Sequence, residues 1–275
     1  MVNAEATVTS GPFRRKAVHA GVHHVQPDAH PGGGGTLVIA STQVPRHLNG
    51  SIRSGLATAV HSAQVFASPL RYDEGWTPRP YLAKSRETSA DGLTVTLHLV
   101  DNATFHDGAP VTSEDVAFSI LNARDSHPFQ SMFAPVASID TPDAHTVVIN
   151  LSQPHPARLL APVLPKHVFC DGQDPKTHPA NSAPVGAGPF MLESFTPGKA
   201  IILKKNPTFC LDDRPKLDEI IIRIIKDPSA LLIAMENGEA DMYPFMAGSQ
   251  EIKRLPAVER LAVTDQGYAA VGAIN

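Results

Sequence analysis

One adjacent pair of residues, His106 and Asp107, could form a catalytic acid–base pair. Adjacent side chains on a turn point apart, and no serine or cysteine nucleophile occurs in a recognisable strand-to-helix elbow. A turn in which Asp107 accepts hydrogen bonds from nearby backbone N–H groups is therefore favoured. A hydrolase remains a minor alternative, and no catalytic residue is predicted.

A second candidate is the glycine-rich segment Gly186-Ala187-Gly188, which could cradle a phosphate. Phosphate-binding loops lead from a strand into a helix N-terminus, whereas Pro189 and an apolar, strand-like segment follow here. The segment is therefore predicted to be a backbone turn that allows close packing, and no nucleotide cofactor is expected.

Four histidines near the N-terminus could bind a transition metal, and the spacing of His19 and His23 would place both on one helical face. Glycine and proline surround them, and no carboxylate or cysteine completes a ligand set. Opportunistic, weak binding is the most that this pattern supports, so no metal site is predicted. The other two histidines are His24 and His30.

The strongest candidate for ligand contact is the polar loop after the apolar run Thr36–Ala40. That run is typical of a strand buried on both faces, and ligands of open α/β sheets gather at the carboxyl ends of strands. The predicted ligand-binding residues, whose side chains can all form hydrogen bonds, are Gln43, Arg46, His47 and Asn49. A solvated loop without function is the alternative.

Strands and helices are mixed along the chain. Leu93, Val95, Leu97 and Leu99 alternate with polar residues and predict a half-buried strand. The Thr112 to Asp115 spacing predicts a capped helix start.

Farther on, the apolar segment 220–225 predicts a strand. Asp227-Pro228 then predicts a helix start, and Gly238 its end. We interpret this order as an α/β core formed by residues 36–59 and 185–275. A mostly β subdomain, residues 60–184, is inserted in it, and residues 1–35 are a disordered head.

Several short motifs occur in a fixed order, and each is weak by itself. They are GLTVTL (92–97), FHDG (105–108), TSEDVAF (112–118), LPKH (164–167), PVGAGPF (184–190), NP (206–207), PKLDEI (215–220) and NGEAD (237–241). In this order they resemble the extracytoplasmic solute-binding proteins of ABC importers, in the oligopeptide, dipeptide and nickel-binding family (family 5). The resemblance covers roughly Thr36 to Asn275.

This resemblance implies a periplasmic-binding-protein fold, in which two lobes joined by a hinge enclose the ligand. The family's chains are usually nearly twice this long, so the sequence is expected to supply the first lobe without the second. The implied function is capture of peptides or similar small solutes and delivery to an ABC permease in the membrane, with no chemical step. A truncated remnant without transport activity, at most a folded interaction module, is the alternative.

The charge of the chain argues against nucleic acid as a partner. The net charge is −4 and the pI is near 6.3, whereas nucleic-acid-binding domains are usually basic. The cysteines, Cys170 and Cys210, could form a disulfide, although two unpaired thiols are favoured.

The resemblance implies a periplasmic location. However, residues 17–30 lack the apolar segment that an export signal requires after Arg14-Arg15. The chain as written is therefore expected to stay in the cytoplasm.

Overall fold

The computed structural model describes residues 16–19, 34–52, 55–73, 77–126, 130–155, 161–212, 214–244 and 261–264. The strands are β1 (Lys16–His19), β2 (Thr36–Ser41), β3 (Leu70–Tyr72), β4 (Pro78–Pro80), β5 (Ala83–Thr88), β6 (Thr94–Leu99), β7 (Val136–Asp143), β8 (Thr146–Leu151), β9 (Phe190–Thr196), β10 (Ala200–Lys205), β11 (Glu219–Ile224) and β12 (Leu261–Thr264). The α-helices are α1 (Leu56–Val65), α2 (Ser113–Ser126), α3 (Lys166–Phe169) and α4 (Pro228–Asn237).

The first four-stranded sheet, called the core sheet, has the order β2-β11-β10-β9. β2 pairs with β11 in parallel, and β9, β10 and β11 pair in antiparallel fashion. Leu37 and Ile39 of β2 are buried beside Ile220 and Ile222 of β11. The apolar residues of these strands are therefore buried, as the sequence predicted.

The second four-stranded sheet, called the insert sheet, has the order β5-β6-β8-β7 and is antiparallel throughout. Val95, Leu97 and Leu99 are buried, whereas Thr94 and Thr96 between them are half-buried. This confirms the alternation that the sequence predicts for β6, because successive side chains of a strand point to opposite faces.

Helix α4 begins and ends where the sequence predicts. The Asp227 carboxylate accepts a hydrogen bond from Ala230 N (2.7 Å), and Pro228 occupies the first turn. Gly238 ends the helix in the left-handed conformation, with φ of 77°. The buried side chains Leu231 and Met235 join a small apolar cluster, which anchors the helix on the core sheet.

Helix α2 also has its predicted cap. The Asp115 carboxylate accepts hydrogen bonds from Thr112 N (2.9 Å) and Thr112 Oγ1 (2.7 Å). Its other oxygen accepts one from Lys166 N at 2.8 Å, and Ser119 Oγ accepts one from Leu164 N at 2.8 Å. The polar side of α2 therefore fixes the extended segment that leads into α3.

The strands of the core sheet lie in the two segments predicted for the core, and those of the insert sheet lie between residues 60 and 184. The predicted boundary after Ala59 falls inside α1, and Val65 and Phe66 pack with the core sheet. We therefore propose a boundary at the end of α1.

Most of the predicted disordered head lies outside the described residues. Lys16–His19 differ from the prediction, because they form strand β1, which pairs in parallel with β12. Gly34 and Gly35 are also fixed, since their N–H groups donate to Lys216 O (2.6 Å) and Asp218 Oδ2 (2.9 Å).

Candidate functional site

The predicted ligand loop begins at the carboxyl end of β2. Because β2 and β11 are parallel, their carboxyl ends meet at the same edge of the core sheet. Ile225 N, directly after β11, donates to Ser41 O at 2.9 Å. The loop from Ser41 to Asn49, hereafter the solute loop, therefore leaves the sheet at the edge where open α/β sheets bind ligands.

The first half of the solute loop faces solvent. Gln43, Val44 and Arg46 are all exposed. Val44, 40% exposed, is one of two large hydrophobic side chains recorded as exposed among the described residues. Gln43 N donates to Ser41 Oγ at 3.1 Å, which folds the loop into a tight turn. This half thus offers an amide, an apolar surface and a guanidinium to a molecule outside the protein.

The second half of the solute loop is buried. The Asn49 side chain is fully buried, where Nδ2 donates to Asn181 Oδ1 (2.9 Å) and Oδ1 accepts from Ser51 N (2.8 Å). His47 is 9% exposed, and its Nδ1 accepts from Asn49 N at 3.2 Å. The predicted set of four therefore divides into two exposed residues and two that fix the loop.

Helix α1 contacts the end of the loop and the residue that follows it. Ser62 Oγ accepts a hydrogen bond from Gly50 N at 3.1 Å. His61, 2% exposed, bonds the backbone of His47. Burial lowers the pKa of His61 to about 4, although the hydrogen bond to the His47 backbone opposes that shift. His61 is therefore neutral at physiological pH.

Three residues that hold the loop were not predicted from the sequence: His61, Ser62 and Asn181. Their separation from their partners in the sequence ranges from 12 residues for the Gly50–Ser62 pair to 132 for the Asn49–Asn181 pair. A buried histidine or asparagine has no local pattern that indicates its partner, so only the assembled structure identifies these contacts.

His106 and Asp107 act separately in the structure. His106 Nδ1 accepts from Gly186 N (3.2 Å), and the opposite ring nitrogen lies 3.1 Å from Gly188 O. Because Nδ1 accepts, the proton lies on Nε2 and is donated to Gly188 O. Burial lowers the pKa of His106, which keeps the ring in this neutral form. Asp107 instead bonds His167 Nε2 at 2.8 Å.

The Gly186–Gly188 turn packs against the end of α1. Gly188 N donates to Val65 O at 2.9 Å. A Cβ atom at Gly186 would overlap Val65 O, and one at Gly188 would overlap the backbone of residues 64 and 65. This confirms that the glycines permit close backbone approach, as the sequence predicted.

Other candidate chemistry is limited to small features. Both cysteines are free thiols; Cys170 is exposed, and burial raises the pKa of Cys210. Across the described ranges, no group of three or more His, Cys, Asp or Glu side chains is arranged to hold a metal ion. His23, His24 and His30 lie outside those ranges. No described helix combines the length and apolar character needed to cross a bilayer.

Comparison with known proteins identifies the family. The model of the bacterial extracellular solute-binding proteins, family 5, middle region, matches residues 77–273. The chain belongs to this family. A Brucella ovis protein provisionally named an ABC transporter peptide-binding protein is 36% identical over 168 residues, which cover 58% of this chain and 32% of that protein.

Solved structures of the family have the same fold. NikZ of Campylobacter jejuni, in complex with Ni(L-His), superposes with a TM-score of 0.69 at 31% identity and covers 74% of this chain. AppA of Bacillus subtilis, an oligopeptide-binding protein in complex with a nonapeptide, gives 0.71 at 25% identity and covers 77%. The matched regions are 42% and 44% of those two chains, so this chain spans less than half of each. The periplasmic-binding-protein fold, with the extent of one lobe, is thereby confirmed.

Proposed function

We propose that this chain captures peptides or similar small solutes for an ABC importer, and that the exposed half of the solute loop forms part of the binding surface. Family membership and the names of the relatives support this reading. The observation that carries it is the exposure of Gln43, Val44 and Arg46 at the carboxyl edge of the core sheet. His47 and Asn49 contribute by holding the loop.

The proposed role has no chemical step. Members of the family bind substrates, and His106 and Asp107 hold different parts of the fold. The second partner in this proposal is the membrane permease, to which a loaded binding protein delivers its solute. We place this action outside the cytoplasmic membrane, where the family works.

Calorimetry with a panel of di- to pentapeptides tests this proposal. Arg46→Ala and Gln43→Ala should each weaken binding of a responding peptide by about five- to tenfold, because each removes one polar contact at the surface. Lys84→Ala and Gln130→Ala are matched controls, since both residues are exposed outside the solute loop. Equal affinities in all four variants would contradict the placement of the site.

The alternative, a remnant without transport activity, is favoured by one observation: the chain spans about a third of the Brucella ovis relative. Failure of the whole peptide panel to bind would favour this alternative. Turnover of any peptide would contradict both readings.

A further inference from the structure

Asn181 contacts the solute loop, although it lies 132 residues from Asn49 in the sequence. It ends a short 3₁₀ turn, Pro179–Asn181, and is 3% exposed. Its backbone carbonyl accepts from Leu48 N at 2.7 Å, and its side-chain Oδ1 accepts from Asn49 Nδ2 at 2.9 Å. One residue therefore binds both the backbone and a side chain of the loop.

The remaining polar groups of Asn181 fix its orientation. Nδ2 donates to Pro175 O at 2.7 Å, and the backbone N–H donates to His178 O at 3.0 Å. His178 caps the turn, because its Nδ1 accepts from Ala180 N at 3.1 Å, and its ring lies 4.7 Å from that of Phe169. Asn181 is thus presented to the loop by a rigid turn.

The solute loop needs such a contact because it has no regular secondary structure of its own. Its exposed half is ordered by the local turn at Ser41 and Gln43. At the far end of the loop, Asn49 Oδ1 also accepts a hydrogen bond from Ser51 N at 2.8 Å. Loss of the Asn181 side chain would therefore remove the only hydrogen bond described for Asn49 Nδ2 and loosen the end of the loop opposite β2, although Leu48 N keeps its bond to the Asn181 carbonyl.

We propose that Asn181 is the positioning residue of the solute loop: its carbonyl and its side chain hold Leu48 and Asn49, so that Gln43 and Arg46 face the solute in one arrangement. The proposal rests on the proposed function for its consequence in binding. The clamp itself is independent of any solute.

Hydrogen exchange in the full chain tests the clamp. In Asn181→Ala, amides of residues 42–51 should exchange at least about tenfold faster than in the parent, because a buried hydrogen bond to the loop is lost. The matched control is Asn206→Ala. Asn206 is also buried, at 1% exposure, and donates to Gly188 O at 2.9 Å, but it bonds no residue of the loop. In this control, exchange in 42–51 should match the parent while the melting temperature falls.

One further variant keeps the test decisive. Asn49→Ala removes the same hydrogen bond from the loop side and should reproduce the fast exchange, even if Asn181→Ala does not fold. The proposal would be overturned if amides 42–51 exchanged equally fast in the Asn181→Ala and Asn206→Ala variants. It would also be overturned if they exchanged no faster in Asn181→Ala than in the parent.

Peptide binding provides the second readout. For a peptide that binds the parent, Asn181→Ala should lower affinity at least about fivefold and Asn206→Ala should leave it unchanged. An unchanged affinity with fast loop exchange would overturn the positioning role. If no peptide binds the parent, the proposed function fails, whereas the exchange result still decides whether Asn181 clamps the loop.

Discussion

Gly186 lies so close to the last turn of α1 that it has no room for a side chain. Gly186→Ala should lower the free energy of unfolding by about 3 kcal/mol, because the new Cβ would overlap Val65 O and backbone atoms cannot move aside easily. Chemical denaturation of parent and variant measures this difference.

Gly108→Ala is the control for this prediction. Gly108 has a positive φ of 89° but open space around its Cβ position, so only backbone strain of about 1 kcal/mol is expected. A Gly186→Ala cost no larger than that of Gly108→Ala would mean that the turn can move away from α1.

His61 should make stability depend on pH. In the unfolded chain its pKa is near 6.5, and in the folded chain it is about 4. The unfolded state therefore binds more protons between these values, so the free energy of unfolding should fall as pH decreases from about 6.5 towards 4. Above pH 6.5 His61 is neutral in both states, and the protein keeps its full stability. Acidification to below pH 4 should remove at most about 3 kcal/mol of it.

Denaturation curves at pH 7 and pH 4.5 test this dependence. His61→Gln should reduce the loss of stability on acidification, because position 61 no longer titrates. His98→Gln, which leaves His61 in place, should retain the parental loss. An identical loss in all three proteins would show that other groups cause the acid sensitivity.

At the scale of elements, the N-cap of α4 is the most direct local test. Asp227→Ala should destabilise the protein by about 1 kcal/mol, because Ala230 N loses its acceptor at the helix start. Asp227→Asn keeps a side-chain oxygen and should cost less. Ser229→Ala, at an exposed site in the same helix, is the control. Thermal and chemical denaturation would contradict the prediction if Asp227→Ala and Ser229→Ala were indistinguishable.

Elements with a signal within a few residues could be predicted from the sequence. The alternation in β6, the Thr112–Asp115 cap and the ends of α4 all depend on neighbours in the chain, and the structure confirms them. Contacts between distant segments could not be predicted. His47 and Asn49 lie in a polar stretch that suggests a solvated loop, yet they are buried because α1 and Asn181 cover them.

At the scale of the whole molecule, the proposed affinity for peptides should depend on how much of a family protein the chain spans. The family resemblance implies two lobes that enclose the solute, whereas this chain matches 42% and 44% of the NikZ and AppA chains. Loss of about 4 kcal/mol of contacts would turn a micromolar site into a millimolar one. We therefore expect this chain alone to bind peptides no tighter than roughly the high micromolar range.

Calorimetry on the isolated chain checks this expectation. Adding the unmatched part of a family protein, in trans or by fusion, should give tighter binding. A sub-micromolar isotherm for any peptide with the isolated chain would show that one lobe is sufficient.

The parallel pairing of β2 with β11 joins residues far apart in the sequence: Thr36 and Glu219, 183 residues apart, are bonded through their side chains. The insert sheet is instead assembled from β5 to β8, which follow one another between residues 83 and 151. Closing a short loop costs less entropy than closing a long one, so local pairings form sooner. The insert sheet should therefore acquire amide protection before β2 in pulse-labelled refolding. During synthesis, Thr36 emerges 183 residues before Glu219, so the strand that leads into the solute loop remains without this partner while that length of chain is made.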